Sequence, residues 1–389
     1  MDYNTIEIDS DTDSDKKILE VIMLKKLSFL FLILSLFTIL FTLCNKKQEA
    51  DTDISVRGLA DTVGFSQNKQ EIEAVINRIK QLQPKKETAV KNEFSKKFIG
   101  GICPHDDHLY AGKMYVDLLK DITMDHIIIF GVAHKARNWG TENKLIFDDF
   151  DFWEGSYGNI KVSSIRENIL SVMDTSLFTV SNKFHSEEHS IEGLLPFLQY
   201  YNKDINIVPV LVPYMKWDRL NSLAESFAKT ISEYVEQHNL QLGKNIGFLI
   251  STDLVHYGNK AWGGKNYAAF GVDKKGYQKA VNRDRSLINS YLTGTIKPEK
   301  LKNLMYTLVD SSDAYTYNIT WCGRFAVPFG VDFLYYLKKD LNLGDLNGHF
   351  ISYGTSLEPG KMSIQEPGLG FTAPANLRHW VGYAAVGYE

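Results

Sequence analysis

The sequence predicts an α/β protein, a three-layer sandwich around a mostly parallel or mixed central sheet. Short apolar runs recur at Phe98–Ile102, His126–Phe130, Ile205–Val212 and Ile246–Ile250. Each has the length and composition of a strand buried on both faces. Helical stretches fall between and after them, at about 112–120, 163–173, 190–201, 217–238, 274–293 and 324–338. Strands alternating with helices place the helices on the faces of a sheet. No internal repeat interrupts the pattern.

The N-terminal part reads differently. Residues 1–22 are acidic and polar and have the character of a mis-called extension, with Met23 as the natural start. Residues 23–44 read as a lipoprotein signal. Lys25 and Lys26 form the basic region, Leu27 to Leu43 the apolar run, and Cys44 the lipid-attachment site. The alternative is an uncleaved anchor, because the run is close to a bilayer span. Both readings put the body outside the cytoplasm, as a membrane-anchored protein of the periplasm or cell surface. Residues 45–95 comprise a polar tether and a bracing helix. The tether runs to about 66. The helix is marked by Ile72, Val75, Ile76, Ile79 and Leu82 at helical spacing and by Pro84 as its stop. The α/β domain spans 96–389.

The net charge of -4 and the absence of a Lys/Arg stripe exclude a nucleic-acid footprint. Three cysteines, Cys44, Cys103 and Cys322, are too few for a disulfide scaffold.

Three apolar runs end in histidine-bearing loops. Phe98–Ile102 leads into Cys103-Pro104-His105-Asp106-Asp107-His108, His126–Phe130 into Gly131-Val132-Ala133-His134, and Ile246–Ile250 into Ser251-Thr252-Asp253-Leu254-Val255-His256. Ligands of open α/β sheets sit beyond the carboxyl ends of the strands, so the fold itself would gather these groups. Histidine is the commonest metal ligand and the usual acid/base near neutral pH. A fourth segment, His185-Ser186-Glu187-Glu188-His189-Ser190-Ile191-Glu192, precedes an apolar helix. On one helical turn His189 and Glu192 would share a face. Ser190 and Glu188 read there as a helix cap and its acidic partner. His126, His238, His349 and His379 have no such company and read as structural or surface residues.

These segments carry a family resemblance. Pro104-His105 with Tyr110 and Gly112, Gly131-Val132-Ala133-His134, Glu188-His189-Ser190-Ile191-Glu192 with Leu195-Pro196, and Val208–Val212 resemble the Memo family (AmmeMemoRadiSam system protein B) in order. So do Ser251-Thr252-Asp253 with His256-Tyr257-Gly258, Cys322-Gly323-Arg324 and Tyr383-Ala384-Ala385. That family shares its fold with class III extradiol dioxygenases. The resemblance implies His105, His134 and Cys322 as metal ligands, with His189, Asp253 and His256 lining the same cleft. A thiolate in place of a carboxylate softens the site, which points to iron or copper before zinc. The chain departs from the family at Asp106-Asp107-His108, where the family has Ala-Gly-Tyr. Asp107 is then an extra ligand candidate and His108 a catalytic one, or the aspartates cap the following helix. A Cys103–Cys322 disulfide would remove the thiolate.

The expected function is therefore a redox-related metal protein, in its fullest form a non-haem iron or copper oxygen-using enzyme. Its substrate would be a small molecule or peptide. The alternatives are a metal-dependent hydrolase built on Asp106, Asp107 and His108, and a non-catalytic binding lipoprotein.

Overall fold

The computed structural model describes residues 54–82, 98–259, 265–357 and 368–389, together with 17, 18, 20–29 and 31. The chain forms two units, Met1–Ile54 and Ser55–Glu389. In the first, the described residues between 17 and 31 are helical. No helix among the described residues is long and apolar enough to cross a membrane. Most of the Leu27–Leu43 run, Cys44 and Pro84 lie outside the described residues.

The second unit is the α/β sandwich. Its strands are β1 (Val56–Arg57), β2 (Gly100–Cys103), β3 (His126–Val132), β4 (Leu145–Phe147), β5 (Phe152–Trp153), β6 (Ile160–Val162), β7 (Phe178–Val180), β8 (Asn206–Val212), β9 (Ile246–Ser251), β10 (His256–Gly258), β11 (Gly294–Thr295), β12 (Asn347–Thr355) and β13 (His379–Tyr388). The main path is β1-β5-β6-β8-β3-β9-β2-β13-β12-β11. Strands β6, β8, β3, β9 and β2 run parallel. Strand β13 then pairs antiparallel with β2, and β12 with β13.

Both faces of the parallel centre are buried, which is why its strands are apolar almost throughout. Along β3, Ile128 and Phe130 enter one core and Ile127 and Ile129 the other, as a period of two requires. The first core is closed by helices α7 (Trp217–Gln237) and α10 (Ala326–Asp340). Helix α7 turns Leu220, Leu223, Ala224, Phe227 and Ile231 inward at three- and four-residue spacing. Phe130 meets the rings of Phe329 and Phe333 at 5.3 and 5.2 Å. The opposite core is closed by α1 (Lys69–Leu82), α2 (His108–Leu119) and α6 (Leu195–Tyr201). Ile72, Val75, Ile76 and Ile79 of α1 are buried as their spacing predicts, whereas Leu82 is exposed.

Three features differ from the sequence reading. The helix expected over 190–201 begins only at Leu195, after a 3-10 turn at Glu192–Leu194. Pro196 lacks an N–H and suits a first turn, so it marks the true start. The unpredicted helix α9 (Pro298–Leu308) buries Leu301, Leu304, Met305 and Leu308. Finally, the second unit begins at Ser55, within the stretch read as tether. Residues read as tether form β1 and send Arg57 into the interior at 1% exposure. Arg57 pairs with buried Glu192, donates to the carbonyls of His185 and Glu188, and lies 4.4 Å above the Trp153 ring. Glu192 also accepts from the amides of Ala60 and Asp61.

A buried ion pair that loses one partner strands the other charge. Arg57→Met is therefore expected to destabilise the unit by about 3–5 kcal/mol, read from urea unfolding midpoints. A second effect concerns Asp332 of α10, which accepts from Asn221 of α7 at 2.8 Å and is pushed up to about 7 by burial. A carboxyl that holds its proton longer in the fold than in the unfolded chain costs stability as pH rises from about 4 to about 7. Asp332→Asn is expected to remove that loss, so its urea midpoint should gain on wild type between pH 4 and pH 8.

Candidate metal centre

Strands β2, β3 and β9 are neighbours, and their carboxyl ends deliver His105, His134 and Asp253 to one edge of the sheet. The loop before α10 adds Cys322. The donor atoms of His105, His134 and Cys322 all lie within 4.8 Å of one another. His105 Nε2 is 3.4 Å from Cys322 Sγ, a separation two ligands of one tetrahedral ion would have. The groups line a cleft of about 540 Å³ that also holds His189, Asp253 and His256.

Neighbouring hydrogen bonds decide which ring nitrogen faces the centre. His105 Nδ1 lies 2.7 Å from Ser251 Oγ, and the Ser251 hydroxyl donates its only proton to the Ser190 carbonyl. The imidazole must then donate from Nδ1, which leaves the Nε2 lone pair toward Cys322. His134 Nδ1 donates to Glu188 Oε1 at 2.9 Å, which leaves its Nε2 likewise. Glu188 is buried and fully used: Oε2 accepts from the His134 amide at 2.8 Å, and Oε1 also from the Ser190 amide at 3.0 Å. It therefore orients His134. A second cluster, His134 with Glu188 and His189, also gathers ligand-type atoms. In it the same carboxylate is already engaged with His134.

The electrostatics treat the two rings differently. Burial, then His134 and His189, lower the His105 pKa well below its usual value, which favours the neutral imidazole a metal needs. Burial, the largest single influence, would lower His134 too, but the Glu188 carboxylate and the Cys322 sulfur together outweigh it and hold the ring at about 10. Burial would raise Glu188, and His134 again wins, holding that carboxyl below the usual carboxylate range. Glu188 thus favours positive charge at His134, and a cation against Nε2 would satisfy the same field. Burial raises the Cys322 thiol, with His134 opposing. The Asp253 amide donates to Sγ at 3.1 Å, a contact that suits a thiolate.

Two glycines permit these approaches. A Cβ on Gly131 would lie 2.9 Å from Ser190 Oγ and 2.7 Å from Ile191 Cγ1. The Ser190 hydroxyl accepts from the Val132 amide and donates to its carbonyl, pinning the His189 segment across the end of β3. A Cβ on Gly323 would lie 2.2 Å from Thr252 Oγ1, which instead accepts from the Gly323 amide.

The remaining expected residues divide. His189 lies in an irregular link rather than on a helix. Its ring stacks on His134 with centroids 4.9 Å apart, and its Nδ1 is 3.4 Å from Asp61. Glu192 turns away to Arg57, so the two do not share a face. His256 donates from Nδ1 to the carbonyls of Leu254 and Thr320, at 3.1 and 3.2 Å, and its ring lines the cleft. Asp253 accepts from the His105 amide, and burial, then Asp106, push its carboxyl well above its usual value.

His108 does not join them. Its Nε2 donates to Gly193 O at 2.9 Å, its Nδ1 accepts from the Ser66 amide at 3.0 Å, and burial lowers it to about 4. The ring is packed among Phe65, Tyr115 and Phe197. Asp107 lines the cleft but makes no cap bond to α2. It accepts from the Thr372 amide and hydroxyl, and burial, then Asp106, push it up to about 7. Asp106 accepts from the Tyr383 hydroxyl at 2.5 Å. Cys103 and Cys322 are free thiols, so no disulfide removes the sulfur.

Sequence reasoning missed Glu188 and Ser251 as orienting groups, Asp61 beside His189, and His379, which lines the cleft. The pairing of Glu188 with His134 spans 54 residues and leaves no local signal.

Fold and site together define an α/β protein with a His/His/Cys cluster at the carboxyl edge of its parallel strands. A family model described as Memo-like protein matches residues 62–362, so the chain belongs to the Memo-like family. Similar curated proteins include a MEMO1 family protein of Metallosphaera sedula, 31% identical over 161 residues, or 40% of this chain and 52% of that protein. Another, from Pyrobaculum arsenaticum, is 26% identical over 171 residues, 42% of this chain and 56% of that protein. A third, from Aquifex aeolicus, is 24% identical over 196 residues, 50% of this chain and 64% of that protein. The chain thus spans between about half and two thirds of the length of these relatives.

Removing the group that orients a metal-bound histidine weakens metal affinity about 10–100-fold. Glu188→Gln is expected to do so with unchanged far-UV circular dichroism, and Ser251→Ala to act in the same direction. Competition against a chromophoric chelator measures both.

Proposed function

We propose that the chain binds one metal ion through His105 Nε2, His134 Nε2 and Cys322 Sγ, and that it is a redox-related protein acting on a small molecule or peptide. The observation that carries the reading is the pair of imidazoles whose Nδ1 atoms are held by Ser251 and Glu188, with ligand-type atoms of both rings and Cys322 Sγ within 4.8 Å of one another. Two imidazoles and a thiolate form a soft set that suits iron or copper better than magnesium or calcium, with zinc as the redox-inert competitor. Such an ion, when bound, would supply electron transfer or oxygen chemistry.

The chain's own residues supply the rest. Glu188 and Ser251 hold the two rings. Asp253 and His256 face the cleft where a proton must be taken or given, and His189, stacked on His134, is placed for the same task. The apolar walls given by Phe65, Tyr110 and Tyr317 suit an organic substrate. The hydrolase alternative needs Asp106, Asp107 and His108 to act together. It loses support because His108 points into the core and both aspartates are engaged by Tyr383 and Thr372. A binding lipoprotein without catalysis remains the second reading. The basic pair Lys25-Lys26, the apolar run and Cys44 support a lipid-tethered location outside the cytoplasm.

Metal content decides among these readings. The chain, purified anaerobically without chelator, is expected to carry near-stoichiometric iron or copper by mass spectrometry, and His134→Ala and Cys322→Ser each to lose it. Zinc or manganese retained by Cys322→Ser would instead favour hydrolysis. No metal after reconstitution would leave a binding protein.

A further inference from the structure

Behind the His/His/Cys cluster lies a second, smaller cavity of about 70 Å³. It shares His134, Cys322 and Tyr317 with the main cleft, so two of the three cluster residues border both chambers. Their charges differ. Asp61, Asp106, Asp107 and Asp253 line the large cleft, with no lysine or arginine among its described lining residues. Arg137 and Arg324 line the small chamber, with no aspartate or glutamate among its described lining residues.

Arg324 is the unusual member. Its guanidinium packs 3.8 Å above the Tyr317 ring and 5.0 Å from that of Phe325, and it donates to the Tyr317 hydroxyl. Its Nε is buried without a hydrogen-bond partner among the described residues. Arg324 is half-buried, and arginines withdrawn from water are ordinarily paired, because an isolated charge is costly to desolvate. Here the fork geometry that matches an oxyanion in two parallel hydrogen bonds is not met by any carboxylate of the described chain. Arg137, 5.0 Å from the centroid of the Tyr315 ring, brings a second guanidinium to the same space.

A water needs roughly 10–15 Å³ of such space. The chamber therefore has room for a carboxylate or a phosphate group, but not for an aromatic body. We propose that this chamber is a subsite for a small oxyanion, held by Arg324 with Arg137, beside His134 and Cys322. A substrate lying across the cluster would place its anionic end here and its bulk in the large cleft. Carboxylate and phosphate share the chemistry required. The subsite rests on the two arginines and the cavity, and its test needs no bound metal.

The test is calorimetric titration of the full chain, stripped with chelator, with sodium acetate and with sodium phosphate against sodium chloride at constant ionic strength. Saturable binding of either oxyanion is expected. Arg324→Gln should weaken it by about tenfold or more, the equivalent of one lost charged hydrogen bond. Arg137→Gln, at an exposed position, should weaken it by a smaller factor and keeps the test open if Arg324→Gln fails to fold by circular dichroism. Lys120→Gln, remote from the chamber, should change nothing. Preference for acetate assigns a carboxylate, and preference for phosphate a phosphate group; either supports the subsite. No saturable binding to wild type, or equal affinity in wild type and both arginine variants, would overturn it.

Discussion

The hydrogen bond from His134 Nδ1 to the buried Glu188 carboxylate is the contact on which the site depends. A buried carboxylate is tolerated only where its lone pairs are met, and Glu188 meets them with the His134 ring, the His134 amide and the Ser190 amide. The same three bonds fix the tautomer of His134 and fasten the 188–190 segment to the end of β3. From that segment Ser190 reaches Val132, and its carbonyl takes the Ser251 proton that settles the tautomer of His105. One short stretch of chain thus orients both histidines.

That stretch is held from outside by the N-terminal segment. Arg57 grips the carbonyls of His185 and Glu188 and pairs with Glu192, while Glu192 takes the amides of Ala60 and Asp61. Asp61 then reaches His189, and Phe65 lines the cleft. The residues just after the first unit are therefore part of the site's wall. Because the pair between Arg57 and Glu192 is buried, its role is in fixing one arrangement of the segment more than in net stabilisation.

Much of the centre was legible because the fold does the gathering. Apolar runs followed by His105, His134 and Asp253 could be read as strands of one sheet, and the fold brings their carboxyl ends together regardless of sequence separation. What could not be read depended on long-range pairing. Glu188 looked like a helix-cap partner, since a Ser and an acid near a helix start satisfy that local pattern equally well. His108 looked reactive beside two aspartates, but as the first residue of helix α2 it is turned into the core, a direction its neighbours in sequence do not reveal. Strand β13 intersperses its strand-forming Trp380, Val381, Tyr383, Val386 and Tyr388 with four glycines and alanines, which breaks up the apolar run. It was recognised only through its resemblance to the family's closing strand.

The central claim is that two imidazoles and one thiolate, oriented by Glu188 and Ser251, form a single metal centre. X-ray absorption spectroscopy of the metal-loaded chain tests it most directly. The account predicts one sulfur scatterer near 2.3 Å with two imidazole nitrogens at about 2.0–2.1 Å for a zinc-sized ion, and loss of the sulfur shell in Cys322→Ser. A first shell of oxygen and nitrogen alone in the wild-type chain would contradict it.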